Sequence, residues 1–184
     1  MGPGPGEMHP RVAEVLATPL FGHLDPAFLA LMDSTRERLR PLLGTANELT
    51  LSISGTGGAG REAALQNVIE PGDGVLVGAW GYFGGRMAEC ARRLGAQVES
   101  FEQPWGEPPG IAALIERIRS AKPAVVCVVH AETSTGVLLR PEEMRGIGAA
   151  ARDAGALLVV DAVTSLGGVP VETVDRLMAG DRPD

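Results

Sequence analysis

Two features of this sequence could do chemistry together: the glycine run LSISGTGGAG at residues 51–60, and a lone aspartate, Asp161, inside the apolar stretch ALLVVDAV. The glycine run joins a short strand-like segment to a helical run at residues 61–70. A helix opening there turns its free backbone N–H groups and positive dipole end toward the loop. That arrangement binds anions, most naturally a phosphate. Gly55, Gly57 and Gly60 also satisfy G-x-G-x-x-G between a strand and a helix, the context of a dinucleotide site. A dinucleotide site such as one for NAD needs an acid about 20 positions on, at the end of the next strand, to hold the ribose. Here Asp73 precedes that strand, and the strand ends in Gly78, Ala79, Trp80 and Gly81 without a carboxylate. The feeding strand is also weakly apolar, with Ser52 and Ser54 in it. A single phosphate monoester fits better, and a glycine-rich turn without a ligand is the plain alternative.

Burying the Asp161 carboxylate among apolar neighbours is costly unless a cation or several donors compensate. One reading is a strand-end aspartate capping a nearby loop. The other is a partner for a positively charged ring nitrogen, the arrangement that keeps pyridoxal phosphate an electron sink. In WGYFGG, Phe83 can stack on a planar ligand or pack in the core, and spacing leaves Trp80 and Tyr82 as rivals for the stacking role. Thr133 and Ser134, in HAETSTG, offer hydroxyls after a buried strand or form an ordinary turn. His130 reads as a core histidine, and Glu132 as a residue that orients its loop through backbone bonds.

These residues need a scaffold that brings them to one place. The pattern alternates strand 74–79, helix 85–94, strand 96–101, helix 111–120, strand 124–130, helix 141–154 and strand 156–163. With the segment before the glycine loop, five strands make an α/β domain. The runs VLVGA, AVVCVVH and ALLVVDAV are almost continuously apolar, as a mostly parallel sheet with helices on both faces demands. Ligands collect outside the carboxyl ends of such strands, where all the candidate residues fall. Ahead of these elements, a helix is expected from Pro26 with Asp25 as its N-cap and Gly44 as its stop, its charged run 33–40 being solvated. Residues 1–24, beginning with alternating Gly and Pro, read as an extended arm, residues 25–171 as the domain, and residues 172–184 as a divergent tail.

With 184 residues the chain suffices for one domain. Its net charge of −7 offers no basic surface to nucleic acid or anionic membranes. Apolar runs such as residues 156–160 are far short of the roughly 20 residues that span a bilayer. The N-terminus carries neither a basic nor an apolar targeting region, so a cytoplasmic location is expected. Cys90 and Cys127 read as buried and inert, and His9, His23 and His130 are too scattered for a metal site.

Three ordered blocks, SGTGGAGREAALQNVIEPGD, HAETSTGVL and LLVVDAVTSLGG, resemble the class V pyridoxal phosphate-dependent aminotransferases, in particular the alanine:glyoxylate and serine:pyruvate aminotransferase group. The resemblance runs over residues 4–171 and implies part of the large domain of the fold type I transferase fold. It implies that Thr56, Gly57 and Gly58 sit at the cofactor phosphate, although some relatives carry a histidine where this chain has Gly58. By the same resemblance Phe83 stacks on the ring, Val163 lies against its other face, Thr133 bonds the phenolic oxygen, and Asp161 pairs with the pyridine nitrogen. The implied reaction moves an amino group from a small amino acid to a 2-oxo acid, and the implied assembly is a homodimer. The family's lysine, which anchors the cofactor as a Schiff base and shuttles the proton, lies downstream in a Ser-Gln-Lys-like motif. This sequence has one lysine, Lys122, at the amino edge of the sheet, and none that matches. The 184 residues are therefore expected to be about half of such an enzyme, inactive alone, through truncation, a frameshift near Glu172 or a split gene. A non-catalytic domain that binds a partner chain or the cofactor reversibly is the alternative from another class.

Overall fold

Near-continuous runs of β-branched residues bury both sides of a strand, and in the computed structural model they form the centre of one parallel sheet. The structure describes Gly4, residues 6–107 and residues 109–169. The four strands are β1 (Gly74–Ala79), β2 (Gln97–Glu102), β3 (Val125–Val129) and β4 (Leu157–Asp161), in the order β2-β1-β3-β4. The register pairs Val77 with Cys127 and Val129 with Asp161. Alternate side chains feed two cores. Val75, Val77, Val125, Cys127 and Val129 face Leu65 of α3 (Gly57–Gln66) and Met87 and Ala91 of α4 (Tyr82–Arg93). Leu76, Val126, Val128 and Leu158 face Leu114 and Ile118 of α5 (Ile111–Ala121) and Met144 and Ile147 of α6 (Pro141–Ala154). Helices thus cover both faces, as expected.

The order of the strands decides where a ligand can sit. From β1 the chain steps outward to β2, then crosses back over β1 to β3, so connections leave the carboxyl ends of β1 and β3 in opposite directions. Such a reversal opens a crevice above the two strands.

Four local expectations are corrected. The segment at residues 51–54 is not a strand: it pairs with no described edge, and Leu51 and Ile53 are each 54% exposed. The described sheet therefore has four strands, not five. Helix α3 starts at Gly57 instead of Arg61, because Thr56 caps it and holds two glycines in the first turn. The third helix of the pattern, α4, starts at Tyr82 instead of residue 85, for a reason that lies 49 residues further along the chain. Finally, the arm expected to be extended holds a short helix, α1 (Pro10–Leu16), capped by His9 Nδ1, which accepts from Arg11 N–H at 3.2 Å. By contrast α2 (Pro26–Leu43) has the expected limits, with Asp25 Oδ1 accepting from Ala27 N–H at 2.8 Å and Gly44 closing it. Among the described residues no helix is long and apolar enough to cross a membrane. The tail at residues 172–184, and Val171 before it, lie outside the described residues.

Candidate functional site at the carboxyl edge of the sheet

The first turn of α3 presents bare donors. Thr56 Oγ1 accepts from Ala59 N–H at 3.2 Å, and the Thr56 carbonyl accepts from Gly60 N–H at 3.1 Å. The N–H groups of Gly57 and Gly58 meet no acceptor among the described residues, as the first donors of any helix must without an external partner. Beneath them a pocket of about 180 Å³ is lined by Gly57, Gly60, Arg61 and Met87 on one side and by Asp161 and Ala162 on the other.

Asp161 is the last residue of β4 and half-buried, so the carboxylate stands at the mouth of the sheet and not within the apolar run. Its Oδ1 accepts from Val163 N–H at 3.1 Å, while Oδ2 accepts no hydrogen bond among the described residues. That turn sends Val163 back over α3, where a Cβ built on Gly57 would lie 3.9 Å from Val163 Cγ2. The next residue, Thr164, bonds through its hydroxyl to Thr133 Oγ1. Two hydroxyls that share one hydrogen bond keep one proton free to donate elsewhere. The post-β4 turn is also tied to β3. His130 N–H donates to the Asp161 carbonyl at 2.9 Å, and His130 Nδ1 lies 2.8 Å from Ser165 Oγ. His130 is the core histidine expected, 4% exposed, and burial pushes its pKa below the usual imidazole range.

Glu132 joins the two central strands. It is 1% exposed, and its Oε2 accepts from Phe83 N–H and Gly84 N–H, each at 3.1 Å. Oε1 accepts from Ser134 Oγ–H at 2.7 Å and from Ser134 N–H at 3.2 Å. A carboxylate at the first N–H groups of a helix satisfies them and opposes the dipole. Glu132 is therefore the N-cap that α4 lacks locally, since Gly81 contributes no side-chain bond. Gly81 is required at that place: a Cβ there would lie 2.4 Å from Glu132 Cγ. The cap fixes Phe83, half-buried against the α3–α4 core, four residues past the end of β1. Phe83 thus packs against that core, the alternative to stacking that its sequence left open. Trp80 is fully buried in the opposite core, and Tyr82 turns outward, 52% exposed.

Of the expected site residues, the structure places Gly57 and Asp161 in the lining of one pocket, with Thr56 and Gly58 on either side of Gly57, Val163 near it, and Thr133 tied to the post-β4 turn through Thr164; Phe83 is outside the lining. The sequence pattern of the family Aminotransferase class-V matches residues 20–177. The chain belongs to the class-V aminotransferases. It is 45% identical over 172 residues to the (S)-ureidoglycine--glyoxylate transaminase of Bacillus subtilis, covering 94% of this chain and 41% of that protein. It is 37% identical over 184 residues to the alanine--glyoxylate aminotransferase of Rattus norvegicus, covering 98% of this chain and 44% of that protein. The crystal structure of an alanine--glyoxylate aminotransferase from Nostoc sp. superposes with a TM-score of 0.90 at 46% identity, over 96% of this chain and 46% of that one. The chain thus spans less than half the length of these relatives.

As a class-V aminotransferase chain it has one cationic amine in its sequence, Lys122, which is the left-handed C-cap of α5 with φ 46°. It stands just before β3, whereas the pocket opens beyond the far end of that strand. Five strand residues separate the two edges by roughly 16 Å, too far for Lys122 to reach a ligand in the pocket. Cys127 is buried and burial pushes its thiol to about 12, and half-buried Cys90 is also raised by burial first, so neither is a ready nucleophile. Sequence reasoning did not single out Arg61, whose Nε is fully enclosed without a hydrogen-bond partner. The signal was available: Arg61 stands at the head of the row Arg61, Leu65, Val68, Ile69, the apolar stripe of α3 and the turn after it.

Proposed function

We propose that these 184 residues build the cofactor cradle of a pyridoxal phosphate-dependent transaminase of the alanine:glyoxylate or serine:pyruvate type. In the whole protein it moves an amino group from a small amino acid to a 2-oxo acid. The observation that carries the reading is that Gly57, at a helix N-terminus with free N–H groups, and Asp161, a carboxylate with a free oxygen, line one pocket in a class-V chain. The donor set fits the cofactor chemically. The N–H groups of Gly57 and Gly58 and the hydroxyl proton of Thr56 suit phosphate oxygens. Asp161 Oδ2 suits a protonated pyridine nitrogen, and the free proton of the Thr133–Thr164 pair suits a phenolate. Phe83 and Val163 offer apolar surfaces for the ring.

When bound, pyridoxal phosphate supplies the electron sink for amino-group transfer. This chain's residues would hold and orient: Asp161 would keep a positive charge at the ring nitrogen, Thr133 would hold the phenolic oxygen, and Glu132 holds the Phe83 backbone. The proton that transamination must move needs an amine or equivalent base at the pocket, and Lys122 is at the other edge of the sheet. We therefore expect the 184 residues alone to bind the cofactor reversibly and not to turn over. A homodimer is supported by apolar side chains left on the surface by the N-terminal segments, among them Leu20 at 98%, Leu24 at 74% and Leu49 at 78% exposure.

The test is a titration with pyridoxal phosphate, followed by borohydride reduction and mass spectrometry. Saturable binding without a specific adduct supports the reading. Stoichiometric labelling at Lys122 with turnover of alanine and glyoxylate overturns the expected inactivity, and stabilisation by NAD but not by pyridoxal phosphate overturns the cofactor.

A further inference from the structure

We propose that Arg61 is a phosphate ligand of this pocket, supplying from the fifth residue of α3 the side-chain cation that the glycine-built first turn cannot. The inference rests on the cofactor reading above. It starts from a residue of the wrong type for its place. Arg61 lies one turn before buried Leu65 on the face of α3 that packs against the sheet, yet it carries a guanidinium there. Its Nε has no solvent contact and no hydrogen-bond partner.

Side chains on a helix lean toward its N-terminus, and Arg61 does so. Its Nη2 comes within 4.0 Å of where a Cβ on Gly58 would stand, near the start of the helix. A cation at the positive end of a helix is repelled by the dipole. Here that repulsion adds to the loss of hydration at Nε, and among the described residues Arg61 makes no ion pair. The guanidinium thus shares the neighbourhood of the α3 start with the unused N–H groups of Gly57 and Gly58. An anion there satisfies all three, and a phosphate dianion matches the flat two-donor edge of an arginine. Asp161 shares the pocket, but no ion pair joins it to Arg61. The charges are sorted: Arg61 with the helix start at the phosphate end, Asp161 at the ring end.

The experiment compares pyridoxal phosphate with pyridoxal, which lacks the phosphate, on the full chain and on Arg61→Met and Arg61→Lys, with dissociation constants read from quenching of tryptophan fluorescence. Arg61→Met is expected to weaken pyridoxal phosphate binding by about tenfold or more while pyridoxal changes less than about twofold, and Arg61→Lys to recover most of the loss. Inorganic phosphate should raise the melting temperature of the parent chain and not of Arg61→Met, a difference a packing role would not produce. Unchanged or tighter pyridoxal phosphate binding by Arg61→Met overturns the proposal, the latter by showing that Arg61 competes for Asp161. Equal losses for both ligands overturn it too. A parent chain that binds neither pyridoxal phosphate nor phosphate overturns the cofactor reading itself, and this proposal with it.

Discussion

The buried carboxylate of Glu132 accepts from the backbone N–H of Phe83 at 3.1 Å, across 49 residues of sequence. This one contact makes the loop after β3 the cap of the helix after β1, and so holds the two sides of the crevice at a fixed spacing. Removing the acceptor leaves the N–H groups of half-buried Phe83 and buried Gly84 without it, while the exposed Ser134 hydroxyl can turn to water. Glu132→Ala is expected to cost roughly 3 kcal/mol of stability, and Glu132→Gln about half that, since an amide keeps one acceptor oxygen. Urea unfolding of the two variants measures both.

The same closeness makes two glycines intolerant. A Cβ on Gly81 would lie 2.4 Å from Glu132 Cγ, and one on Gly84 would lie 2.8 Å from the Ala79 Cα, a backbone atom that cannot turn aside. Gly84→Ala should therefore lose about 1–3 kcal/mol, although alanine is the better helix former. A calorimetric melting temperature equal to or above the parent's would contradict this.

His130 makes stability depend on pH. Burial lowers its folded pKa beneath the ordinary 6.5, so the unfolded chain binds the proton more readily. The stabilising contribution is complete above 6.5 and is lost as pH falls through the lowered folded value. Between about pH 7.5 and about pH 5.5 the urea midpoint of the parent chain should fall more than that of His130→Gln. Parallel slopes would refute the assignment.

Asp161 and Arg61 should separate in ligand binding. Asp161→Asn removes the charge at the ring end and is expected to weaken pyridoxal phosphate and pyridoxal alike, by about 10- to 100-fold. Spectroscopic titration of both ligands checks this. A loss confined to pyridoxal phosphate would place Asp161 at the phosphate instead.

Much of this was written in the sequence because it is local. Apolar runs without alternation demand a sheet covered on both faces, and β1 and α6 have the limits read from them. Asp25 before Pro26 and Gly44 after Leu43 carry their own capping chemistry, and so bound α2 without help from elsewhere. Glycines before a helix mark a place where backbone donors are bare. The tertiary structure decided what depends on residues far apart. The start of α4 rests on a carboxylate from another loop, so no local pattern could show it. A strand exists only by pairing, so residues 51–54, strand-like in composition, are none without a described partner. Trp80, Tyr82 and Phe83 are alike in spacing, and only the packing of two opposed cores sends Trp80 into one and Phe83 against the other while Tyr82 stays outside. Asp161 looks buried in its sequence, yet the register with Val129 ends the strand there and gives the carboxylate an open side. The types of residue that could hold a phosphorylated ring were legible along the chain; the meeting of Gly57 and Asp161 at one pocket follows from the packing of α3 against β4, which the chain's own periodicity does not encode.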